Sequence, residues 1–340
     1  MFQPERVIIE KGAREYPLGE QLYQQFLRDA KVEVFEKATN QVKGSIPGDN
    51  LATMYQEGKK TLVIGIKKSL KFQSCKPSAH YQLPLVSGCM GQCEYCYLNT
   101  QLGDKPYVRV HVNVDEILEQ AMKYTKERLP SITIFEGAAT SDPVPVEPYT
   151  HSLRHCIEYF GQQESTRFRF VSKYTDIDSL LDARHNGHTE VRFSINTERV
   201  IETYEHHTPM AKHRIAAAVK LMKAGYPVGF LIAPVFLYDN WKVEYMQLME
   251  SLKDQLPDRL AYPLTFEVIS HRYTLRAKER IQQVFPTTQL PMSEEERVFQ
   301  YGQFGYGKYK YSKEQLKEMG DFFKEEIPVL FPEAIIKYVI

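Results

Sequence analysis

From residue 83 onward the sequence keeps one beat: a short apolar strand, a loop, then a helix. Six segments read as strands, at 83–86, 132–135, 167–171, 190–195, 228–232 and 264–269. The helices between them have readable ends. Asn113 with Glu116 has capping-box spacing ahead of Ile117 and Leu118. Thr208-Pro209 places a capping residue and a first-turn proline before Ile215, Ala218, Val219 and Met222, and Gly225 closes that helix. Strands alternating with helices predict a parallel sheet with right-handed crossovers. Six such units predict an α/β chain built on a partial (β/α)6 TIM-type barrel. The chemistry of such barrels gathers at the carboxyl ends of the strands.

The beat also sets the expected organisation. Residues 1–82 read as a small N-terminal mixed α/β extension, with strands at 7–9 and 62–66 and a helix at 19–28 carrying Leu22 and Phe26. Residues 83–285 form the barrel. Residues 286–340 are expected to form a C-terminal β-hairpin and helix that pack on the barrel. Residues 300–311 alternate glycine, aromatic and basic side chains, too glycine-rich for a helix. Ser312 and Gln315 then cap a final helix with Leu316, Met319 and Phe323 on one face.

Directly after the first strand comes Cys89-Met90-Gly91-Gln92-Cys93-Glu94-Tyr95-Cys96, followed by Tyr97. Three thiolates at this spacing suit three corners of one [4Fe–4S] cube. Such clusters are normally held by four cysteines, so one iron is left open for a ligand that must be bound and cleaved. S-adenosylmethionine offers an amino group and a carboxylate for that position. The spacing resembles the signature of the radical S-adenosylmethionine superfamily. A structural zinc site would normally show a second Cys or His pair. Here Cys75 and Cys156 stand alone, and His80 is the one candidate to complete a Cys3His set. A disulfide framework does not suit a chain of 340 residues with five cysteines and no signal pattern.

Composition narrows the setting. The 43 basic and 43 acidic residues cancel, which argues against a generic nucleic-acid coat while leaving room for a local basic groove. No apolar run approaches the ~20 residues that span a bilayer. A reducing cytoplasm, no membrane contact and a monomer are expected.

Several strand ends carry chemistry. Gly137 to Pro143 combines small residues with Ser141 and Asp142; it reads as ligand site or as a plain turn with Asp142 as cap. Lys173 emerges from one strand and can pair with a carboxylate, while Ser194 and Asn196 end the next. Glu205-His206-His207 reads as cap and surface rather than metal site. Tyr95 and Tyr97 flank Cys96 and are either packing or hydrogen-atom relays. Arg272, Tyr273, Tyr306, Lys308, Tyr309 and Lys310 suit nucleic-acid contact, since lysines neutralise phosphates and aromatics stack on bases.

Taken together, the chain resembles the spore photoproduct lyase family over essentially its whole length. The likeness rests on residues 87–97, on Phe135-Glu136 and Ser141-Asp142-Pro143, on Lys173, and on residues 304–309. It implies a DNA-repair lyase of spore-forming bacteria, located in the cytoplasm of the spore core. The implied lesion is 5-thyminyl-5,6-dihydrothymine, the ultraviolet-induced spore photoproduct. The implied partners are damaged DNA and an external electron donor of flavodoxin or ferredoxin type. By the resemblance, Cys89, Cys93 and Cys96 hold the cluster, and a 5′-deoxyadenosyl radical takes a hydrogen atom from C6 of the lesion. Ser141, Lys173 and Ser194, with the neighbouring Asn196, are the cofactor contacts; Tyr95 and Tyr97 become relay residues. A family cysteine returns a hydrogen atom to the thymine radical.

This sequence has Ala139 where the family has that cysteine. Neither Cys75 nor Cys156 has a sequence reason to replace it, so an impaired donor step is expected. Two alternatives remain: a radical S-adenosylmethionine enzyme acting on a non-DNA substrate, and a zinc-stabilised nucleic-acid binding protein without catalysis.

Overall fold

The computed structural model describes residues 1–38, 41–301 and 307–340. They group into two compact units, one of residues 1–90 and 102–190, the other of residues 91–101 and 191–340.

The first unit contains a five-stranded sheet ordered Glu33–Glu36, Arg6–Ile9, Thr61–Gly65, Val108–His111 and Val86–Ser87. Arg6–Ile9 and Thr61–Gly65 are buried along their whole length. Such continuous apolar runs mark parallel strands covered on both faces. Ile8 and Val63 sit opposite each other and pack with Val42 and Ile46. The helix Pro17–Leu27 buries Leu22 and Phe26, with proline at its first position. Both expected strands and the helix of the extension are present. The sheet also recruits Val108–His111 from beyond the cysteine motif, a segment too short to stand out in the sequence.

The same unit holds the first barrel strands. Ser74–Cys75 pairs antiparallel with Ala79–Gln82, which pairs parallel with Thr133–Glu136, which pairs parallel with Thr166–Ser172. The first strand therefore lies a few residues before the expected 83–86. Pro84 has no amide to donate to a ladder, and the amide of Leu85 turns back onto the carbonyl of Leu83. Beneath these strands Phe135, Phe160 and Phe168 stack with ring centroids 5.4 Å apart at each step, within the range favoured for aromatic pairs. The helix Val114–Arg128 forms where its stripe predicted. Asn113 does not cap it, because its side chain holds both backbone groups of Lys67 instead, at 2.8 and 3.1 Å.

In the second unit the parallel strands run Thr189–Ile195, Val228–Val235, Thr265–Ser270 and Ile335–Val339. Arg192 and Glu267 form a buried ion pair at 2.6 Å. Gly229 stands between their strands, and a Cβ there would meet Thr265 Oγ1 at 2.2 Å and Arg192 Cγ at 3.2 Å. The glycine makes the space in which the pair closes. The helix Ala211–Lys223 starts after Met210 rather than at Thr208, whose hydroxyl donates to the carbonyl of Glu205 at 2.8 Å. Gly225 ends it with φ +85°. Ser312 and Gln315 form the expected capping box on Lys313–Leu330. The final strand Ile335–Val339 was not expected; it adds a parallel neighbour to Thr265–Ser270. Val298–Tyr301 and Gly307–Lys310 form the expected hairpin strands; Phe304 and Tyr306 lie outside the described residues. Among the described residues no helix is long and apolar enough to cross a membrane.

Candidate active site

The entry to the cysteine loop is fixed within the first unit. Gly88 has φ +80°, and a Cβ there would meet the carbonyl oxygen of Tyr107 at 2.2 Å, so only glycine fits. Its amide donates to the carbonyl of Thr140 at 3.0 Å, and Gly88 bridges in parallel to Ser141. The buried Lys59 donates its ammonium to the carbonyl of Cys89 at 2.8 Å.

The rest of the loop is fixed within the second unit. Gln92–Cys93 pairs antiparallel with Glu205–His206. The amide of Glu94 donates to the carbonyl of Tyr204 at 2.9 Å. Asn99 donates its side-chain amide to the carbonyl of Cys93 at 3.0 Å. Cys93 is buried, while Cys89 and Cys96 are half-buried.

Around this loop lies a polar network that the sequence pattern did not reveal. Arg214 is fully buried; it donates to Glu205 Oε2 at 2.6 Å, to the carbonyl of Ser194 at 2.9 Å and to the carbonyl of Pro209 at 2.7 Å. The Tyr95 hydroxyl donates to the other Glu205 oxygen. Burial and the Glu205 charge hold the Tyr95 phenol well above its ordinary pKa, so it stays protonated. Glu94 accepts from the Thr288 hydroxyl and lies 2.8 Å from His206 Nε2. Glu205 and His206 thus brace the loop. One sequence signal for the network existed: Arg214 falls on the buried stripe of its helix with Ala211, Ala218 and Leu221. A charge on an apolar stripe needs a buried partner.

The end of Thr133–Glu136 gathers the other candidates of the first unit. Asp142 accepts from the amide of Lys173 at 2.9 Å, the hydroxyl of Ser172 at 2.8 Å and the amide of Val144 at 3.3 Å. Burial pushes its carboxyl up to about 6, against those three donors. Asp142 is therefore a brace joining two strand ends, and it brings Ser141 and Lys173 into one neighbourhood. The Ser141 hydroxyl is buried and has no hydrogen-bond partner among the described residues. A buried hydroxyl left this way calls for an outside partner, which fits a polar ligand at this strand end.

In the second unit Ser194 is buried and reaches the carbonyl of Ala233 at 3.5 Å. Asn196 is spent internally: its amide donates to the carbonyl of Pro234, and its oxygen accepts from Thr197 and Tyr245. Tyr97 is 50% exposed.

Ala139 and Thr140 line a cavity of about 260 Å³. Cys156 is wholly buried in the helix Ser152–Gly161, with its thiol pushed well up. Cys75 is half-buried on the hairpin beside Ala79–Gln82. The amide of Gln82 donates to the carbonyl of Gln73, which lines the Ala139 cavity.

The nucleic-acid candidates separate into two groups. Arg272 and Lys308 are exposed, and burial together with the Arg272 charge pulls the Lys308 pKa down. Two cations held this close suit a phosphate. Lys310 is half-buried on the same strand. Tyr273 is instead 4% exposed and stacks on Tyr309 at 5.3 Å and 11°. It supports the hairpin from below and is not a contact surface, a correction to the sequence expectation. Tyr309 donates its hydroxyl to Glu294 at 3.0 Å. Exposed aromatic surface comes from Tyr301, the first aromatic residue of the 300–311 stretch, and from Phe299, which the sequence pattern had not singled out as a contact.

A family model for spore photoproduct lyase matches residues 2–340. The chain belongs to the spore photoproduct lyase family. A relative of that name from Clostridium acetobutylicum is 52% identical over 335 residues, covering 98% of each chain. One from Bacillus subtilis is 46% identical over 337 residues, covering 99% of this chain and 98% of its own. A solved spore photoproduct lyase with bound AdoMet and dinucleoside spore photoproduct matches with a TM-score of 0.96 and 47% identity, over 100% of this chain and 99% of that one. That solved protein carries two replacements, one Cys to Ala and one Ser to Cys. The partial barrel expected from the strand–helix beat is the fold of this family, and the chain is an enzyme, a lyase of the radical S-adenosylmethionine class.

The donor set fits the class. Three thiolates on one loop are the ligands an iron–sulfur cluster takes. Among the described residues no three His, Cys, Asp or Glu side chains are gathered for a single metal ion; a cluster places each thiolate on a different iron and does not require that. His80 is occupied by the amide of Ile134 at 2.9 Å, which removes the fourth ligand of a zinc site.

Proposed function

We propose that this protein reverses the spore photoproduct in DNA to two thymines. When bound, the cluster and S-adenosylmethionine supply the 5′-deoxyadenosyl radical that removes the hydrogen atom from C6 of the lesion. The observation that carries the proposal is the tie between Gly88 and Thr140–Ser141. It holds the residue before the first cluster cysteine against the strand end that presents the unpartnered Ser141 hydroxyl. Cluster loop and cofactor contact are thereby one piece of backbone.

Cys89, Cys93 and Cys96 hold the cluster; Ser141, Lys173 and Ser194 contact S-adenosylmethionine. Tyr95 and Tyr97 are the relay candidates, and Tyr95 is held protonated against Glu205. Arg272, Lys308 and Lys310 meet the DNA backbone. Damaged duplex must be opened for the lesion to enter, as for enzymes that act on bases generally. The relatives' shared name and the dinucleoside lesion bound in two solved family members support the substrate.

Ala139 has no thiol, so the hydrogen atom returned to the thymine radical must come from another residue. Cys156 is excluded by burial. Cys75 lies on the hairpin that joins Thr133–Glu136, the strand leading into Ala139, through Tyr81 opposite Phe135. We assign the donor role to Cys75. The solved relative with a Cys-to-Ala and a Ser-to-Cys replacement makes the same kind of exchange. The hairpin position supports Cys75 where its place in the sequence did not, and a competent enzyme replaces the impaired one.

The test is anaerobic reconstitution with iron and sulfide, followed by EPR with S-adenosylmethionine and measurement of 5′-deoxyadenosine. Replacing Cys89, Cys93 or Cys96 with Ala should each abolish cofactor cleavage. A variant that retained full cleavage would overturn the ligand assignment.

A further inference from the structure

We propose that the cavity beside Ala139 is an anion subsite that takes a backbone phosphodiester of the lesion strand. This rests on the lesion assignment above and adds an interaction that a dinucleoside ligand cannot make. A dinucleoside has no internucleoside phosphate, whereas the lesion in DNA carries one.

The cavity measures about 260 Å³, several times the roughly 30 Å³ share of one water. Its wall brings Lys67, Lys71 and Arg109 together with Ser87 and with Ala139 and Thr140 of the strand end. Neither lysine has a carboxylate partner among the described residues. Arg109 spends one nitrogen on Glu10 at 2.7 Å and on the Tyr107 hydroxyl at 3.0 Å. Its Nε is buried and has no hydrogen-bond partner among the described residues.

Glu10 is thus tied to Arg109, and the cavity keeps an excess of positive charge. His111 adds none at neutral pH, since burial pushes its ring down to about 4. Burial, and after it the Arg109 charge, pull the Lys67 pKa down. Desolvated cations are costly unless paired, and an arriving diester supplies the missing charge. Its oxygens suit two lysine point charges and an arginine N–H, with the Ser87 and Thr140 hydroxyls as further donors.

The experiment compares two ligands on the anaerobically reconstituted full chain: dinucleoside spore photoproduct and the matching phosphodiester-linked dinucleotide. The unsubstituted protein should bind the dinucleotide about tenfold or more tightly, the worth of one charge-assisted hydrogen bond. In the Lys67→Ala/Lys71→Ala double variant that ratio should fall towards one, and Lys67→Arg with Lys71→Arg should restore most of it. A ratio unaffected by the double substitution overturns the proposal. So does a loss confined to S-adenosylmethionine affinity, which would assign the cavity to the cofactor's carboxylate. If neither lesion ligand binds the unsubstituted protein, the lesion assignment fails instead. Dimethyl phosphate, titrated by 31P NMR, then tests the subsite alone: binding abolished in the double variant supports it, and equal binding overturns it.

Discussion

Arg214 Nη2 lies 2.6 Å from Glu205 Oε2, and neither side chain has any exposed surface. The backbone of Glu205 is at the same time the ladder partner of Cys93. A buried ion pair therefore sits directly behind Cys93, a proposed cluster ligand. Removing one partner strands the other charge, which costs about 3–5 kcal/mol. Arg214→Ala should destabilise the fold by that amount, seen as a lower urea midpoint at unchanged m-value, and should lower iron content after reconstitution. Arg214→Lys should recover part of the stability, because one ammonium cannot serve all of the acceptors that the guanidinium reaches. Urea unfolding followed by circular dichroism, with iron analysis of the same samples, checks both.

Asp142 gives a pH signature. Its carboxyl stands at about 6 in the fold against an ordinary 3.8. Between those values the folded protein holds the proton more tightly than the unfolded chain. This group's contribution therefore falls as pH rises from about 4 to about 6, by up to about 1.4 kcal/mol per unit, and is flat above. Glu147, raised to about 7 by burial, adds a similar slope over a higher window. The difference between the parent and Asp142→Asn isolates the Asp142 contribution. Urea midpoints from pH 4 to pH 7 should show the parent losing stability relative to Asp142→Asn through that window. A constant difference would mean that Asp142 titrates normally.

The hairpin should act through phosphate. Arg272→Ala with Lys308→Ala should weaken binding to lesion-containing duplex and shallow the log–log salt dependence by about one unit for each phosphate no longer neutralised. Cofactor cleavage without DNA should not change. Tyr273→Phe should leave the salt slope alone, since Tyr273 is buried against Tyr309. Filter binding or anisotropy between low and moderate salt reads all three.

Much of this was legible in the sequence, and the failures have physical causes. The strand–helix beat located the barrel strands because fully buried parallel strands are continuous apolar runs. The first strand was misplaced because Leu83 to Val86 is as apolar as its neighbours, and only Pro84 hinted at a break between the barrel strand Ala79–Gln82 and Val86–Ser87, which joins the other sheet. The cap at Asn113 failed because its side chain was claimed by a distant partner, Lys67, and such competition is invisible locally. The cysteine loop stood out from its spacing alone. Its support by Glu94, Glu205, Arg214 and Thr288 was not, because residues from 94 to 288 meet only in the fold. Tyr273 was chosen for residue type, and its burial against Tyr309 decides against it.

Cys75 should be the hydrogen source. In D2O its thiol exchanges, so repair should place one deuterium in a product thymine methyl group. Cys75→Ala should still cleave S-adenosylmethionine and consume lesion, while thymine yield falls and adducts with the reductant appear at the methylene carbon. Adding Ala139→Cys to that variant should restore clean product. If Cys75→Ala gave thymine as cleanly as the parent, the donor would lie elsewhere.

The most direct measurement uses the reconstituted protein, S-adenosylmethionine, a reductant and a spore-photoproduct dinucleotide under anaerobic conditions. Mass spectrometry follows lesion, thymidylyl-thymidine and 5′-deoxyadenosine together. Loss of lesion should be matched by an equal gain of the undamaged dinucleotide, dependent on S-adenosylmethionine and on Cys89, Cys93 and Cys96. Formation of 5′-deoxyadenosine with the lesion left intact would contradict the repair assignment.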